Sequence, residues 1–298
     1  MGPEDTELNI YGLPFIADTR FVAYDKKLFD DWGVEYLPWM PTLDELKEKG
    51  AAMTGINPVT GEQNYGLIFK GGKYSGDTAV NIAENLGGQW GTGFKWSEMK
   101  TEFNSPEFIA AAEWMKSIID YCPPGTIARQ GDEKWMTIDN NIAINLHTGP
   151  GDLQKIEAIG LEDRIGISSL FINEDEGMGG IFAGSPASIG VSSEVKDLAW
   201  EWIKFTSSDT FQKYMWDNYR SMPSIKSSMT WDSMDAIPQI KPVIKTLGTL
   251  WGPRYPYRAG APRGILGDAM EKAIMGLVPV EEAMNAAQAD SEAWLKEQ

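Results

Sequence analysis

Two hydrophobic periods alternate along this chain. Short runs that are apolar or change character at every second residue occur at 65–69 ("YGLIF"), 142–146 ("IAINL"), 165–171 ("IGISSLF") and 187–192 ("ASIGVS"). Each is bounded by Gly, Asn, Asp or Ser, and each predicts a strand. Between them stand segments with the 3.6-residue period. "SPEFIAAAEWMKSIIDY" has Ser105 as a cap, Pro106 in the first turn, and Phe108, Ala111, Ala112, Met115, Ile118 and Ile119 on one face, with Trp114 off that stripe. "SSEVKDLAWEWIKFTSS" lines up Val195, Leu198, Ala199, Trp202 and Phe205, which assigns Trp202 to the core. Thr42 to Glu45 after Pro41 matches a capping box. The stretch from Pro279 predicts a closing helix with Ala283, Met284, Ala287 and Trp294 on its packed side. Residues 10–33 read as a strand, a Gly-Leu-Pro turn, a second strand and the start of an amphipathic helix. The alternation of strands and helices means an α/β chain.

No tandem repeat or long linker interrupts this order, so a domain boundary has to be a crossover of the chain between lobes. The loop signals are 69–77, 87–93, 146–152, 177–186 and 250–264, several of which set aromatic residues beside glycines. A flat ring in such a loop can face a cleft because little crowds it.

Charge narrows the functions. The 298 residues carry 26 Lys and Arg against 43 Asp and Glu, a net charge of -17, with the basic residues scattered. Nucleic acid and anionic membranes are disfavoured as partners, because phosphate contacts need clustered cations. Neutral and cationic ligands remain open. Cys122 is the single cysteine, which excludes an internal disulfide and a cysteine metal cluster, and beside Pro123 and Pro124 it reads as a packed residue. No apolar run approaches the roughly 18 residues of a membrane span, and "MGPEDTELN" lacks the basic and apolar regions of a signal peptide. The length suggests about two domains.

The order of the pieces resembles the extracellular solute-binding proteins of ABC importers, family 1, the maltose-binding-protein-like group. "IYGLPFIADTRFVAYDKKLFDDWGV" is similar to the family's Tyr-Gly-Leu-Pro segment and following strand, with Asp25 in the usual Asn place. "MPTLDELKEKGAAMT" resembles its Pro-x-Thr-Trp-x-Glu-Leu helix, with Leu43 for Trp. "NSPEFIAAAEWMKSII", "DNNIAINLHTGPG", "SPASIGVSSEVKDLAWEWIKFTSSDTFQKY" and "DAMEKAIMGLVPVEEAMNAAQ" follow in the family's order, so the resemblance covers nearly the whole chain.

The resemblance implies an α/β fold of the periplasmic-binding-protein-like type II architecture, with two lobes joined by hinge crossovers. Family members begin with a signal and several strand and helix units ahead of the Tyr-Gly-Leu-Pro segment, so the expectation here is an incomplete first lobe. The implied division is residues 1–20 as a remnant of lobe I and the hinge, 21–182 as lobe II, 183–236 as a returning segment of lobe I, and 237–298 as C-terminal helices packing mainly on lobe II. The implied function is to bind a carbohydrate, an oligosaccharide by the aromatic loops, and deliver it to the permease subunits of an ABC importer. The implied place is the periplasm or cell exterior, membrane-anchored in full-length form. No cofactor and no metal are implied, and a monomer is expected if the missing lobe is supplied.

A sugar needs aromatic faces for its C–H side and carboxylates, amides or Arg forks for its hydroxyls. Twelve Trp and ten Tyr make the first kind abundant. By resemblance, Asp18 falls where a carboxylate meets ligand hydroxyls, or else caps a turn, and Arg20 forks to the ligand or pairs with Asp18. Trp90 stacks on the ligand or packs under its own loop. His147, the only histidine, follows a strand where the family places ligand contacts, and Gly149 would admit ligand close to backbone. Phe182 and Gly184 precede a crossover. Trp251, Tyr255 and Tyr257 lie where the family contributes a late aromatic, with Arg258 and Arg263 as lobe-bridging ion pairs.

Two rivals stand beside this reading. A glycosidase needs two carboxylates about 5 to 9.5 Å apart across the substrate. Glu174, Asp175 and Glu176 are adjacent in sequence and read as a solvated turn. No Ser-His-Asp pattern, Gly-x-Ser-x-Gly, phosphate loop or His pair is present. The second rival is a truncated paralogue that kept the scaffold, lost the site and acts as an interaction module.

Overall fold

The computed structural model describes residues 12–92, 99–128, 141–169, 183–235, 240 and 260–297. Its larger sheet is organised by β7 (Ile142–Thr148), whose seven residues are all buried. Flanking it are β2 (Phe21–Asp25), β3 (Gly55–Ile56), β4 (Gln63–Ile68) and β8 (Ile165–Ser168), in the order β3-β4-β7-β2-β8. The β4–β7 pair is parallel and the others are antiparallel. A central strand covered on both faces does not alternate between apolar and polar, and β7 accordingly opens with Ile142, Ala143 and Ile144 in succession, its polar residues Asn145, His147 and Thr148 being gathered toward its end. A small hairpin of β5 (Gly91–Thr92) and β6 (Lys100–Thr101) stands apart from it.

One face of this sheet is covered by helices whose ends follow their sequence signals. In α1 (Lys26–Trp32), the Asp25 side chain accepts from the Lys27 N–H, and Gly33 at φ 64° closes the helix. In α2 (Leu43–Ala52), the capping box is present: Glu45 N–H donates to Thr42 Oγ1 at 3.1 Å and Thr42 N–H to Glu45 Oε2 at 2.8 Å. Next come α3 (Ser75–Asn85) and α4 (Pro106–Ser117), the latter capped by Ser105. The α4 stripe is buried as the period predicts, with Phe108, Ala111, Ala112, Met115 and Ile118 fully enclosed and Trp114 only partly so. A glycine pair brings α2 down onto β4. A Cβ built on Gly66 would lie 1.7 Å from the Gly50 carbonyl oxygen, so only two bare backbones allow this approach.

The other face carries α5 (Pro150–Ala158), where Leu153 and Ile156 join Phe21, Ala23, Ile68 and Ile142 in a second core cluster. That cluster continues through Trp216, Met222 and Met234 of a smaller assembly. There β1 (Leu13–Asp18) pairs antiparallel with β9 (Ala183–Ala187), and α6 (Lys196–Thr206), α7 (Asp209–Tyr219) and the short α8 (Asp232–Asp235) follow. Gln212 ties α7 to β1 by donating to the Phe15 carbonyl at 2.8 Å. At the C-terminal end, α9 (Gly260–Ile274) and α10 (Val280–Lys296) pack on each other, and both lie against α4, α9 also against α3.

Three local expectations are corrected. Leu13 and Pro14 do not form a turn between strands but open β1. A register shift after Pro14 absorbs the missing N–H, and the break in the chain comes at Thr19 and Arg20 instead. The strand expected at 187–192 is β9, four residues earlier, because it ends where its antiparallel partner begins, Ala187 opposite Leu13. The α6 stripe has the predicted period but not the predicted burial. Val195, Leu198, Trp202 and Phe205 are 59%, 69%, 59% and 46% exposed. Trp202 packs only sideways, on Phe205 and Phe211, and no described element lies over the face.

Candidate functional site

The two assemblies meet where β1 runs through Thr19 and Arg20 into β2. Phe21 of β2 stands opposite Thr148 of β7, so Arg20 arrives beside Gly149. Ile68 of β4 stands beside Asn145 of β7 in a parallel pair, so the continuing chain brings Lys70 level with His147. One sheet edge thereby collects Asp18, Arg20, Lys70, His147 and Gly149, from segments far apart in sequence. Gly184 sits across from Ala17 on β9.

Arg20 organises this edge. Its Nη1 forms an ion pair with Asp18 and donates to the Thr19 carbonyl at 2.9 Å, and its Nε donates to His147 Nε2 at 3.1 Å. A histidine nitrogen that accepts is unprotonated, which puts the ring proton on Nδ1. His147 is 1% exposed, and its pKa is held well below the usual value, chiefly by burial and then by the charges of Arg20, Lys70 and Arg263. It is a neutral buried ring. Gly149 leaves room for the arginine, since a Cβ there would come within 3.1 Å of Arg20 Nη1. The Gly149 N–H is capped by Asp152 Oδ2 at 2.9 Å, which starts α5.

Further along the edge, Tyr74 lies under two cations. Lys70 Nζ is 5.7 Å from its ring centroid and the Arg263 guanidinium 4.9 Å. Arg263 is paired with the buried carboxylate of Asp77. Burial lowers the Lys70 pKa, against the opposing pull of Asp152 and Asp18.

Beside Asp18 opens a cleft of about 240 Å³. Its lining includes Asp18, the α5 residue Gly151, Gly184 and Ser185 of β9, and Tyr219 and Arg220 at the end of α7. Tyr219 is half exposed and held edge-on to Tyr214, ring centroids 6.1 Å apart. Arg220 closes α7 in the left-handed region, at φ 50°. From there its Nε donates to Glu157 Oε2 at 2.9 Å and its Nη2 pairs with the same carboxylate at 2.8 Å, tying α7 to α5. The cleft therefore offers a carboxylate, a hydroxyl, exposed backbone at two glycines and one ring face. That is a donor and acceptor set for a small polyhydroxylated molecule.

Of the residues singled out from sequence, Asp18 and Gly184 line the cleft, and Arg20, His147 and Gly149 form the network behind it. Trp90 is elsewhere. It is 1% exposed and packs edge-on to Phe103 in the main core, so it takes the packing alternative rather than the stacking one. Phe182, Trp251, Tyr255, Tyr257 and Arg258, and the acidic run Glu174 to Glu176, lie outside the described residues. Sequence reasoning does not single out Lys70, Tyr219 or Arg220. Lys70 does stand in the flagged glycine loop 69–77, but Tyr219 and Arg220 look like any polar helix end. Among the described residues no group of three or more His, Cys, Asp or Glu could hold a metal ion, and no helix is long and apolar enough to cross a membrane.

Comparison with known proteins gives consistent results. A binding protein of Brucella abortus (strain 2308) is 28% identical over 120 residues, a segment that spans 40% of this chain and 27% of that relative. An ABC transporter solute-binding protein of Agrobacterium vitis S4, crystallised with D-mannitol, superposes with a TM-score of 0.79 at 18% identity, covering 100% of this chain and 76% of that one. Maltose-bound MalE3 of T. maritima gives 0.78 at 17% identity, covering 96% and 72%. At such identities these likenesses show the fold, the α/β architecture of two-lobe periplasmic-binding-protein-like sugar-binding proteins. The family described as bacterial extracellular solute-binding protein matches residues 2–213, more than two thirds of the sequence, and the chain belongs to that family.

Proposed function

We propose that this chain binds a sugar or polyol in the cleft beside Asp18 and presents it to the permease of an ABC importer outside the cytoplasmic membrane. The observation that carries the reading is the cleft itself, where the Asp18 carboxylate, the Ser185 hydroxyl and the half-exposed Tyr219 ring converge at the junction of the two sheets. Family membership supports it, and structural relatives hold D-mannitol, ribitol and maltose.

The carboxylate accepts from ligand hydroxyls, and it is held in place by Arg20 rather than free to swing. The tyrosine ring supplies an apolar face for the C–H side of the ligand. Backbone at Gly151 and Gly184 can approach closely because no side chain intervenes. A ligand here touches β1, β9, α5 and the end of α7 at once, so its binding favours one arrangement of these elements over others. In this reading lobe II runs from about residue 21, the crossover lies near 182 and the α6–α7 segment belongs to lobe I. An interaction module without a ligand is the second reading, favoured by the apolar face of α6, which no described element covers.

A thermal-shift panel of hexoses, disaccharides and polyols separates the two. A ligand at about 100 times its Kd stabilises the protein by roughly 2.7 kcal/mol. Asp18→Asn and Tyr219→Ala should each weaken the response of the best ligand by about tenfold in Kd, at about 1.4 kcal/mol for each tenfold. A flat response across the panel refutes the binding reading.

A further inference from the structure

The charges at the sheet edge do not balance. Arg20 is answered by Asp18, and Arg263 by Asp77. Asp152 is occupied by the Gly149 N–H at 2.9 Å and by Lys155 at 3.7 Å. That leaves the ammonium of Lys70 with the face of Tyr74 as its contact among the described residues. Lys70 is neither exposed nor sealed in: it is partly covered and level with His147 of β7, the strand that separates it from Arg20, whose partner Asp18 borders the cleft. Partly desolvating a cation without an anion is costly, so such an arrangement is expected where an anion arrives from outside. The lowered pKa of Lys70, caused first by burial, records that cost. In a chain of net charge -17, carboxylates are abundant, and yet none of the described ones pairs with this lysine.

We propose that Lys70, over Tyr74 and between Arg20 and Arg263, forms a cationic subsite that takes the carboxylate of an acidic sugar, a uronate, whose ring lies in the cleft beside Asp18. The inference rests on the carbohydrate reading of that cleft. One positive charge without an anion among the described residues matches one carboxylate. A phosphate dianion would bring a second negative charge toward Asp18 and Asp152 with no cation left to meet it. Asp18 then reads the hydroxyls of the ring while Lys70 reads its acid group, so the subsite separates uronates from neutral hexoses of the same shape.

The test is isothermal titration of the whole chain with matched pairs of neutral hexose and uronate (galactose and galacturonate, glucose and glucuronate, mannose and mannuronate), with hexose 1-phosphates as a third arm. One pair should show the uronate bound about tenfold or more tighter than its hexose, the worth of a charge-assisted hydrogen bond. Lys70→Met should bring that ratio to within about twofold of unity, and Lys70→Arg should keep most of it. Thermal unfolding of both variants checks that they fold. A hexose that binds as tightly as its uronate, a phosphate that binds tightest, or a ratio unchanged in Lys70→Met overturns the subsite while leaving the sugar cleft intact. No binding of any sugar in any arm overturns the cleft reading and the subsite with it.

Discussion

Glu84 offers a sharp test of the packing described above. It stands near the end of α3, where burial drives its carboxyl pKa from an ordinary 4.5 up to about 8, and its Oε2 has no hydrogen-bond partner among the described residues. At neutral pH the folded protein keeps this group protonated, whereas the unfolded chain releases the proton near 4.5. The unfolded state therefore binds fewer protons between the two values, and stability must fall as pH rises from about 4.5 to about 8. At 1.36 kcal/mol per pH unit, the loss is about 3 kcal/mol by pH 7 and about 5 kcal/mol above pH 8. Glu84→Gln keeps the shape and removes the titration. Its stability relative to the parent should be about 1 kcal/mol higher at pH 5, about 3 kcal/mol higher at pH 7 and about 5 kcal/mol higher at pH 9. Urea unfolding of both proteins at the three pH values measures this directly. Comparing variant with parent also cancels every other titrating group, His147 included. A gain that does not change with pH, or a loss at pH 9, would refute the argument, because either would mean that Glu84 ionises in the folded protein at little cost.

Four further outcomes follow from particular contacts. His147 has a folded pKa far below its unfolded value near 6.5, through burial first and then through Arg20, Lys70 and Arg263, so its contribution to stability is lost as pH falls through about 6.5, at up to about 1.36 kcal/mol per pH unit. His147→Gln should flatten that limb of the urea-midpoint profile. Gly66→Ala should destabilise by about 3 kcal/mol or more, read as a fall in Tm, because its Cβ would run into the Gly50 carbonyl and force α2 off β4. The buried Cys122 thiol, whose pKa burial pushes far up, should resist a thiol reagent in native buffer and react at once in denaturant. Thr42→Ala should cost about 1 kcal/mol in urea unfolding, because the Glu45 N–H loses its Thr42 Oγ1 acceptor while the backbone N–H of residue 42 keeps its bond to the Glu45 carboxylate.

How far the sequence reveals the structure depends on the range of the interactions involved. The α4 stripe and the α2 capping box were legible because the partners lie within four residues of each other, and helix geometry alone brings them together. The start of β7 was legible for a related reason: Ile142, Ala143 and Ile144 are apolar in succession, as a strand enclosed on both faces allows, and the polar residues Asn145, His147 and Thr148 come only toward its end. Asp18, Arg20, His147 and Gly149 came from resemblance, and the β2–β7 register accounts for why they meet. Lys70 needed the parallel β4–β7 pair, and Tyr219 needed α7 to end against α5, neither of which leaves a mark in local sequence. Trp90 misled because glycines flank it both where a ring faces a cleft and where it lies beneath its own loop.

The exposed face of α6 shows where a periodic reading ends. Val195, Leu198, Trp202 and Phe205 recur at helical spacing, and that spacing identifies which side of the helix is apolar. It says nothing about what lies across from that side. Burial is a property of two surfaces, and the period reports one. For α4 the second surface is supplied by α3, α9 and α10. For α6, the nearest described partners, β1 and α7, reach its flank and leave the four large side chains 46% to 69% exposed. The same holds at the cleft. Asp18 was identifiable as a carboxylate beside a strand, but the cleft it lines exists only because Tyr219 and Ser185 arrive from two other elements. Residue chemistry can therefore be read from a segment, and its function only from the segments that the sheets bring against it.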